Sequence, residues 1–420
     1  MTAEICVMNR LAVVLAADSA TTVTYWGENG REERYFKGAN KIFQLSNSHP
    51  VGVMIFDSAD LLKVPWEVVI KDFRRYLGDK SFNSVAEYAT EFFSYIDGNN
   101  TMFPASVQHE AFLEAVRSAI FTMLVVPSHN SKIPEDQKKA VQDAVAAKEN
   151  ELAGVNILPC IDEKNLEEAI ISVRDEMIAY VRDLISTFKL PEVDDLEKLI
   201  TVAVTDVFKQ PQDHMSTAGL VFAGFGDRNV FPSMAPYTSF GMLAGHHVHL
   251  AGESINIDHE LPAWMEPFAQ RNMADTFSAG VSRDVYSSTM GAVVEGLASF
   301  IDELGKAVGF DPAKIANLGD LIGQARKAIS DAVMDRARKE HAIPMRRILG
   351  ALPVDELAEL AETLINLQSL KEKVTKPSAS VGGPVDVAVI TRSEGLVWIK
   401  RKHYFDPAIN SRYMARQQAT

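Results

Sequence analysis

The hydrophobic period of this chain switches repeatedly between two and 3.6 residues, and the order of the switches limits the folds open to it. Residues 3–8 and 11–17 are short, apolar and β-branched on either side of the turn-compatible pair Asn9-Arg10, which predicts a hairpin almost from the first residue. A second hairpin is expected over 22–36, turning at Gly27-Glu28-Asn29-Gly30, because Asn-Gly is the strongest short-range turn signal. The strand-like segments KIFQLS and VGVMIF follow. Over 60–77, 84–96 and 107–126 apolar residues instead recur three and four apart, predicting helices. Residues 127–209 continue as helix with more charge, and Ile133-Pro134-Glu135-Asp136 reads as a helix start. Strand character returns over 218–251, and helical period resumes at about 272, continuing through 303, 318–339 and 356–372. VDVAVITR and GLVWIK close the pattern as a pair turned at Ser393-Glu394-Gly395.

Strands, helices, strands, helices, strands is an α+β order, in which helices cover antiparallel sheets. The 420 residues exceed one ordinary domain, so two domains or one enlarged by insertions are expected. A net charge of −14 argues against nucleic acid and anionic membrane as partners, since both are negative themselves. No uninterrupted apolar stretch approaches the roughly 20 residues of a membrane-spanning helix. The first residues lack the charged leader and apolar run of a signal peptide and are expected to belong to the mature fold. Cys6 and Cys160 are too few for a disulfide framework or a structural zinc site, which fits a reducing cytoplasm.

Three segments carry a resemblance: TAEICVMNRLAVVLAADSATT, KGANKIFQL and SASVGGPVDVAVITRSEGLV occur in the order, and with the character, of segments in proteasome beta-type subunits and their bacterial relatives. The chain resembles that family of N-terminal nucleophile hydrolases over its first 65 residues or so and over the 50 before its tail. The resemblance implies a four-layer αββα sandwich with additional helical insertions. On that reading 1–126 is the N-terminal part of the hydrolase core, 127–209 a mainly helical segment that is partly insertion, 210–299 core strands and helix, 300–350 a helical insertion, 351–403 the C-terminal core helix and strands, and 404–420 a tail.

Carried over position by position, the family's nucleophilic threonine falls on Thr2, exposed once Met1 is removed, and its active-site aspartate on Asp18 in AADS. Its active-site lysine is placed at Lys37, with Lys41 beside IFQL as the alternative, and a supporting serine at Ser380. The chemistry asks for these types on its own account. A threonine hydroxyl is a weak nucleophile at its free pKa, whereas a terminal α-amine, with a reference pKa of about 7.7 to 8.0, can take its proton near neutrality. A lysine close by favours the neutral amine, and a carboxylate holds the charged one.

The oxyanion hole implied by the family uses the backbone N–H of a glycine, and here that position is Asp57. Ile55, two residues earlier, falls at a position shaping the substrate pocket. The family's aspartate before Gly382-Gly383 has no counterpart. The implied activity is hydrolysis of peptide bonds through an acyl-enzyme on Thr2, without cofactor, on peptide or protein substrates, in a homo-oligomer that an ATP-dependent unfoldase could feed. A non-proteolytic amidohydrolase and a catalytically inactive homologue are the alternatives. His246, His247 and His249 place two imidazoles on one strand face, but no matching carboxylate spacing supports a metal. The stripe Val64, Trp66, Val68, Val69, Phe73 and Leu77 is expected to face a core, and AGFGD to form turns.

Overall fold

One side chain closes the first hairpin. Between β1 (Ala3–Asn9) and β2 (Ala12–Ala17), Asn9 is fully buried, its Oδ1 accepting from the Leu11 and Ala12 N–H groups. Its Nδ2 donates to the carbonyls of Leu349 and Leu352, so both ends of the amide are satisfied. Arg10 donates to the carbonyls of Asp258 and His259 and lies 5.9 Å from the Phe231 ring centroid. The computed structural model describes residues 2–27, 30–129, 133–311, 317–375 and 381–418.

β3 (Ala20–Gly27) and β4 (Gly30–Lys37) form the second expected hairpin with Gly27 opposite Gly30; Glu28 and Asn29 lie outside the described residues. β5 (Ile42–Gln44) and β6 (Val51–Asp57) are the next two expected strands. Residues 60–65, expected as helix, are instead a small hairpin of β7 (Asp60–Leu61) and β8 (Val64–Pro65). Leu62 and Lys63 turn it with φ of 50° and 68°, and Pro65 cannot continue into a helix interior, so α1 (Trp66–Leu77) starts after it. Its buried stripe holds Trp66, Val69, Phe73 and Leu77, while Val68 is 49% exposed and drops out of the expected set.

α2 (Val85–Asp97) is capped by Ser84, whose side chain accepts from the Glu87 N–H. α3 (Ala105–Ser128) is followed by α4 (Pro134–Ala153), α5 (Glu163–Phe188) and α6 (Leu196–Lys209). α3 is long and apolar enough to cross a membrane by length and composition, but Glu110, Glu114 and Arg117 interrupt its apolar run and 56% of its most apolar window is buried in the protein. β9 (Ala218–Gly224), β10 (Ser233–Leu243), β11 (His246–Ala251), β12 (Ile255–Asn256) and β13 (Ala263–Ala269) precede α7 (Asn272–Ala279), α8 (Arg283–Val308) and α9 (Leu318–Ala337). α10 (Ile343–Leu349), α11 (Val354–Thr375), β14 (Asp386–Thr391) and β15 (Gly395–Lys400) follow, and the expected tail contains α12 (Ser411–Gln418).

The fold is mixed α and β with antiparallel sheets, in two compact units that interleave along the chain: Met1–Ile42, Asn229–Ser233 and Ile255–Thr420 make the first, Phe43–Arg228 and Met234–Ser254 the second. In the first, an antiparallel sheet runs in the order β13-β1-β2-β14-β15. Ala3, Ile5, Val7, Val14, Ala16 and Val387 form one of its faces and pack with Leu357, Ala361, Leu364 and Ile365 of α11. The opposite face, including Cys6, Met8, Leu15 and Ile390, is equally buried, so β1 and β2 read as continuous apolar runs rather than alternating ones. β13 was not expected from sequence. Its Pro267, opposite Ile5, argues against a strand, yet β13 lies at the sheet edge, where proline is tolerated.

In the second unit the sheet runs β11-β10-β9-β6-β5. Val53, Ile55, Leu220 and Phe222 pack with Trp66, Phe73 and Phe92 of α1 and α2. The helices of 127–209 join α3 in a separate core that includes Val116, Ile120, Val173, Met177 and Val204. His247 is buried, its Nε2 2.7 Å from Ser239 Oγ, and His249 stacks on Phe93 at 3.9 Å between centroids. Burial pushes the pKa of His247 well down, so it packs as a neutral ring.

Candidate active site

β1 is an interior strand of its sheet, and its alternation puts Thr2 and Glu4 on one face and Ala3 and Ile5 on the other. Thr2 is 7% exposed and its carbonyl accepts from the Gln270 N–H at 2.9 Å, just beyond β13. Its Oγ1 donates to Glu4 Oε2 at 3.1 Å. Glu4 itself is wholly buried, paired across the sheet with Ala17 and Phe268.

Asp18 follows the last residue of β2, where the hairpin register places it opposite Ala3, one residue after Thr2. Its backbone N–H donates to the Ala3 carbonyl at 3.1 Å, and its Oδ1 accepts from the Ala3 N–H at 3.2 Å. Oδ2 accepts from the Gly382 N–H at 2.7 Å. Gly382 and Gly383 have φ of 131° and 88°, a region that favours glycine, and a side chain at Gly383 would crowd Ser19 and the Lys37 stem. Asp18 is thus fixed by backbone from both ends of the chain.

The lysine that completes this group is Lys41, not Lys37. The Lys41 ammonium lies 2.5 Å from Asp18 Oδ1 and 2.9 Å from Glu4 Oε1, and the residue is 5% exposed. Lys37, the last residue of β4, is exposed. Lys37 has its stem beside Gly383 yet is exposed, whereas Lys41, four residues on at the start of KIFQ, is buried. Ser380 lies outside the described residues, as does Ser378.

Glu4 is the site residue the sequence reading passed over, although a lone acid inside AEICVMN, an otherwise apolar strand, is a legible signal. Two carboxylates here share one described cation. Burial raises the Glu4 pKa to about 7; Lys41 opposes the rise and Asp18 adds to it. The buried Cys6 on the same strand face has its thiol pKa pushed up by burial and by Glu266, so it packs as an apolar side chain.

No family profile matches the chain. No curated protein matches its sequence either.

In the second unit, Asp57 ends β6 with φ of 64°, so this non-glycine residue holds the left-handed conformation that glycine would adopt freely. Ile55 is 5% exposed within that unit's core rather than open to a ligand. The same unit contains a serine–histidine–aspartate string: His214 Nε2 lies 2.8 Å from Asp206 Oδ2, and Nδ1 lies 3.4 Å from Ser118 Oγ. Ser118 stands in the middle of α3, where the neighbouring backbone N–H groups are engaged by the helix and do not form an oxyanion hole. The string reads as a helix-to-turn tie.

Proposed function

We propose that this protein is a threonine-type N-terminal nucleophile hydrolase, resembling proteasome beta subunits, whose Thr2 becomes the reactive residue when Met1 is cleaved away. The observation that carries this reading is the Asp18 carboxylate, buried between the Ala3 N–H, the Gly382 N–H and the Lys41 ammonium, with Lys41 also paired to Glu4, the carboxylate to which the Thr2 hydroxyl donates. A buried carboxylate and lysine around a threonine that merely began a strand would be an expensive way to pack it. Around a nucleophile they supply the charge that an alkoxide and an α-amine need. Freed Thr2 adds an ammonium to a group that holds two acids and one base. Charge then balances.

The accompanying fold reading is the four-layer αββα sandwich with helical insertions, supported by antiparallel sheets with helices packed on each unit's sheet. Within the second unit, Asp57 keeps the left-handed backbone that the family's glycine would take at this position. Peptide or protein amides are the substrates, cleaved through a Thr2 ester within a homo-oligomer. An ATP-dependent unfoldase and a cytoplasmic setting belong to the same proposal.

Intact-mass analysis of the purified protein and a β-lactone probe test it together. Met1 is expected to be absent, and the probe to add one acyl mass, mapped to Thr2 and missing in Thr2→Ala. Labelling of Thr2→Ala at the wild-type rate, or a retained Met1 on protein that still labels, overturns the assignment.

A further inference from the structure

We propose that Glu4 is the general base of this site, taking the proton of the Thr2 hydroxyl directly; the inference rests on Thr2 being the nucleophile. The geometry places base and nucleophile in contact, with Thr2 Oγ1 donating to Glu4 Oε2 at 3.1 Å on one strand face. The other oxygen, Oε1, faces the Lys41 ammonium at 2.9 Å, so the cation orients the carboxylate while Oε2 is left to the hydroxyl. A purely structural role does not account for the residue. Asp18 already supplies Lys41 with a counter-charge at 2.5 Å, and a second buried carboxylate adds desolvation that one cation does not recover. An apolar residue would suit this position of the strand better.

Burial supports the assignment by raising the Glu4 pKa to about 7, where a base is both deprotonated and able to hold a proton near neutrality. Among the described residues, the charged groups facing Glu4 are Lys41 and Asp18; its partners on the flanking strands, Ala17 and Phe268, are uncharged.

In the first half-reaction the Oγ–H proton passes to Glu4 Oε2 as Oγ bonds to the substrate carbonyl carbon and the carbonyl π pair moves onto its oxygen. Collapse of that intermediate breaks the carbon–nitrogen bond, and Glu4 returns the proton to the departing nitrogen. The second half repeats this with water: its proton goes to Glu4, its oxygen bonds to the ester carbon, the carbon–Oγ bond breaks and Glu4 reprotonates Oγ. The α-amine of freed Thr2 then acts as a second cation beside Lys41 rather than as the base.

The rate of β-lactone acylation, followed by intact mass from pH 5.5 to 9 in wild type, Thr2→Ala, Glu4→Gln and Glu4→Asp, decides between these roles. Wild type is expected to label at Thr2 with a rate that rises with pH along an acidic limb, its midpoint below 7 because the ammonium of freed Thr2 favours the Glu4 carboxylate. Glu4→Gln is expected to lose roughly 10²-fold or more and to lack that limb, the usual size of general-base help. A loss of less than about tenfold in Glu4→Gln, with the limb intact, overturns the assignment and leaves Thr2 as nucleophile with its amine as base. Equal labelling of wild type and Thr2→Ala overturns the reading beneath it instead. Should Glu4→Gln fail to fold, Glu4→Asp carries the test: slower labelling with the pH limb retained supports the proposal, and an unchanged rate rejects it.

Discussion

Asp18 and Gly382 stand 364 positions apart and are joined by a 2.7 Å hydrogen bond from the glycine N–H to Oδ2. Because the Ala3 N–H and the Lys41 ammonium converge on Oδ1, the carboxylate is an acceptor on both oxygens and a donor nowhere. Asp18→Asn must turn an amide N–H₂ toward one of these donors and also removes a buried counter-charge. A loss of about 3 kcal/mol or more in urea unfolding is expected, with Thr2 labelling abolished.

The two lysines separate cleanly. Lys41→Met strands two buried carboxylates and is expected to lower stability by about 3 to 5 kcal/mol. Lys37→Met, at an exposed position, is expected to stay within about 0.5 kcal/mol of wild type. Urea midpoints of the pair measure the contrast, and equal effects would contradict the placement of Lys41.

Stability should carry a mark of Glu4. Its folded pKa, about 7, lies above the ordinary 4.5, so between those values the folded protein holds more protons than the unfolded chain. The Glu4 contribution is therefore fully present below about 4.5 and is lost as pH rises through about 7. Glu4→Gln keeps the neutral shape at every pH. Relative to wild type it is expected to gain stability between pH 5.5 and pH 7.5, and chemical denaturation at the two values reads the change.

At Asp57 the backbone sets the order of variants. Asp57→Ala and Asp57→Gly both delete the side chain, but alanine in the left-handed region carries a penalty of roughly 1–2 kcal/mol that glycine escapes. The glycine variant is expected to be the more stable by about 1 kcal/mol in urea unfolding.

Much of this architecture is legible from periodicity, because hairpins such as β1 with β2 and helices such as α2 and α3 carry their signal within a few turns. β13 is hidden because Pro267 is a strand breaker everywhere except at an edge, and edge position is a property of the assembled sheet. The helix expected from residue 60 fails for the reverse reason: apolar spacing continues through Leu61 and Val64, while the positive φ of Leu62 and Lys63 is invisible in it. Asp18 meets the backbone of Ala3, the residue after Thr2, through the hairpin register alone. Lys41 does not, since Lys37 and Lys41 differ only in which side of a loop turns inward. Glu4 was readable as a charge within an apolar strand, but its meaning depends on Lys41 arriving from elsewhere.

Strand β1 lies between β2 and β13, and β2 pairs in turn with β14, so the sheet that holds Thr2 is knitted from both extremes of the chain. A ribosome must release residues 263–269 and then 386–391 before those pairings can form. Loops of such length close slowly, and the early hairpin waits with its edges open. Asp18 gains its Gly382 donor only after residue 382 has been made. In the proposed enzyme, a reactive threonine assembled in this way would stay idle on every copy that stops short of residue 382, and the chain would acquire its cutting edge only once that stretch has joined the sheet.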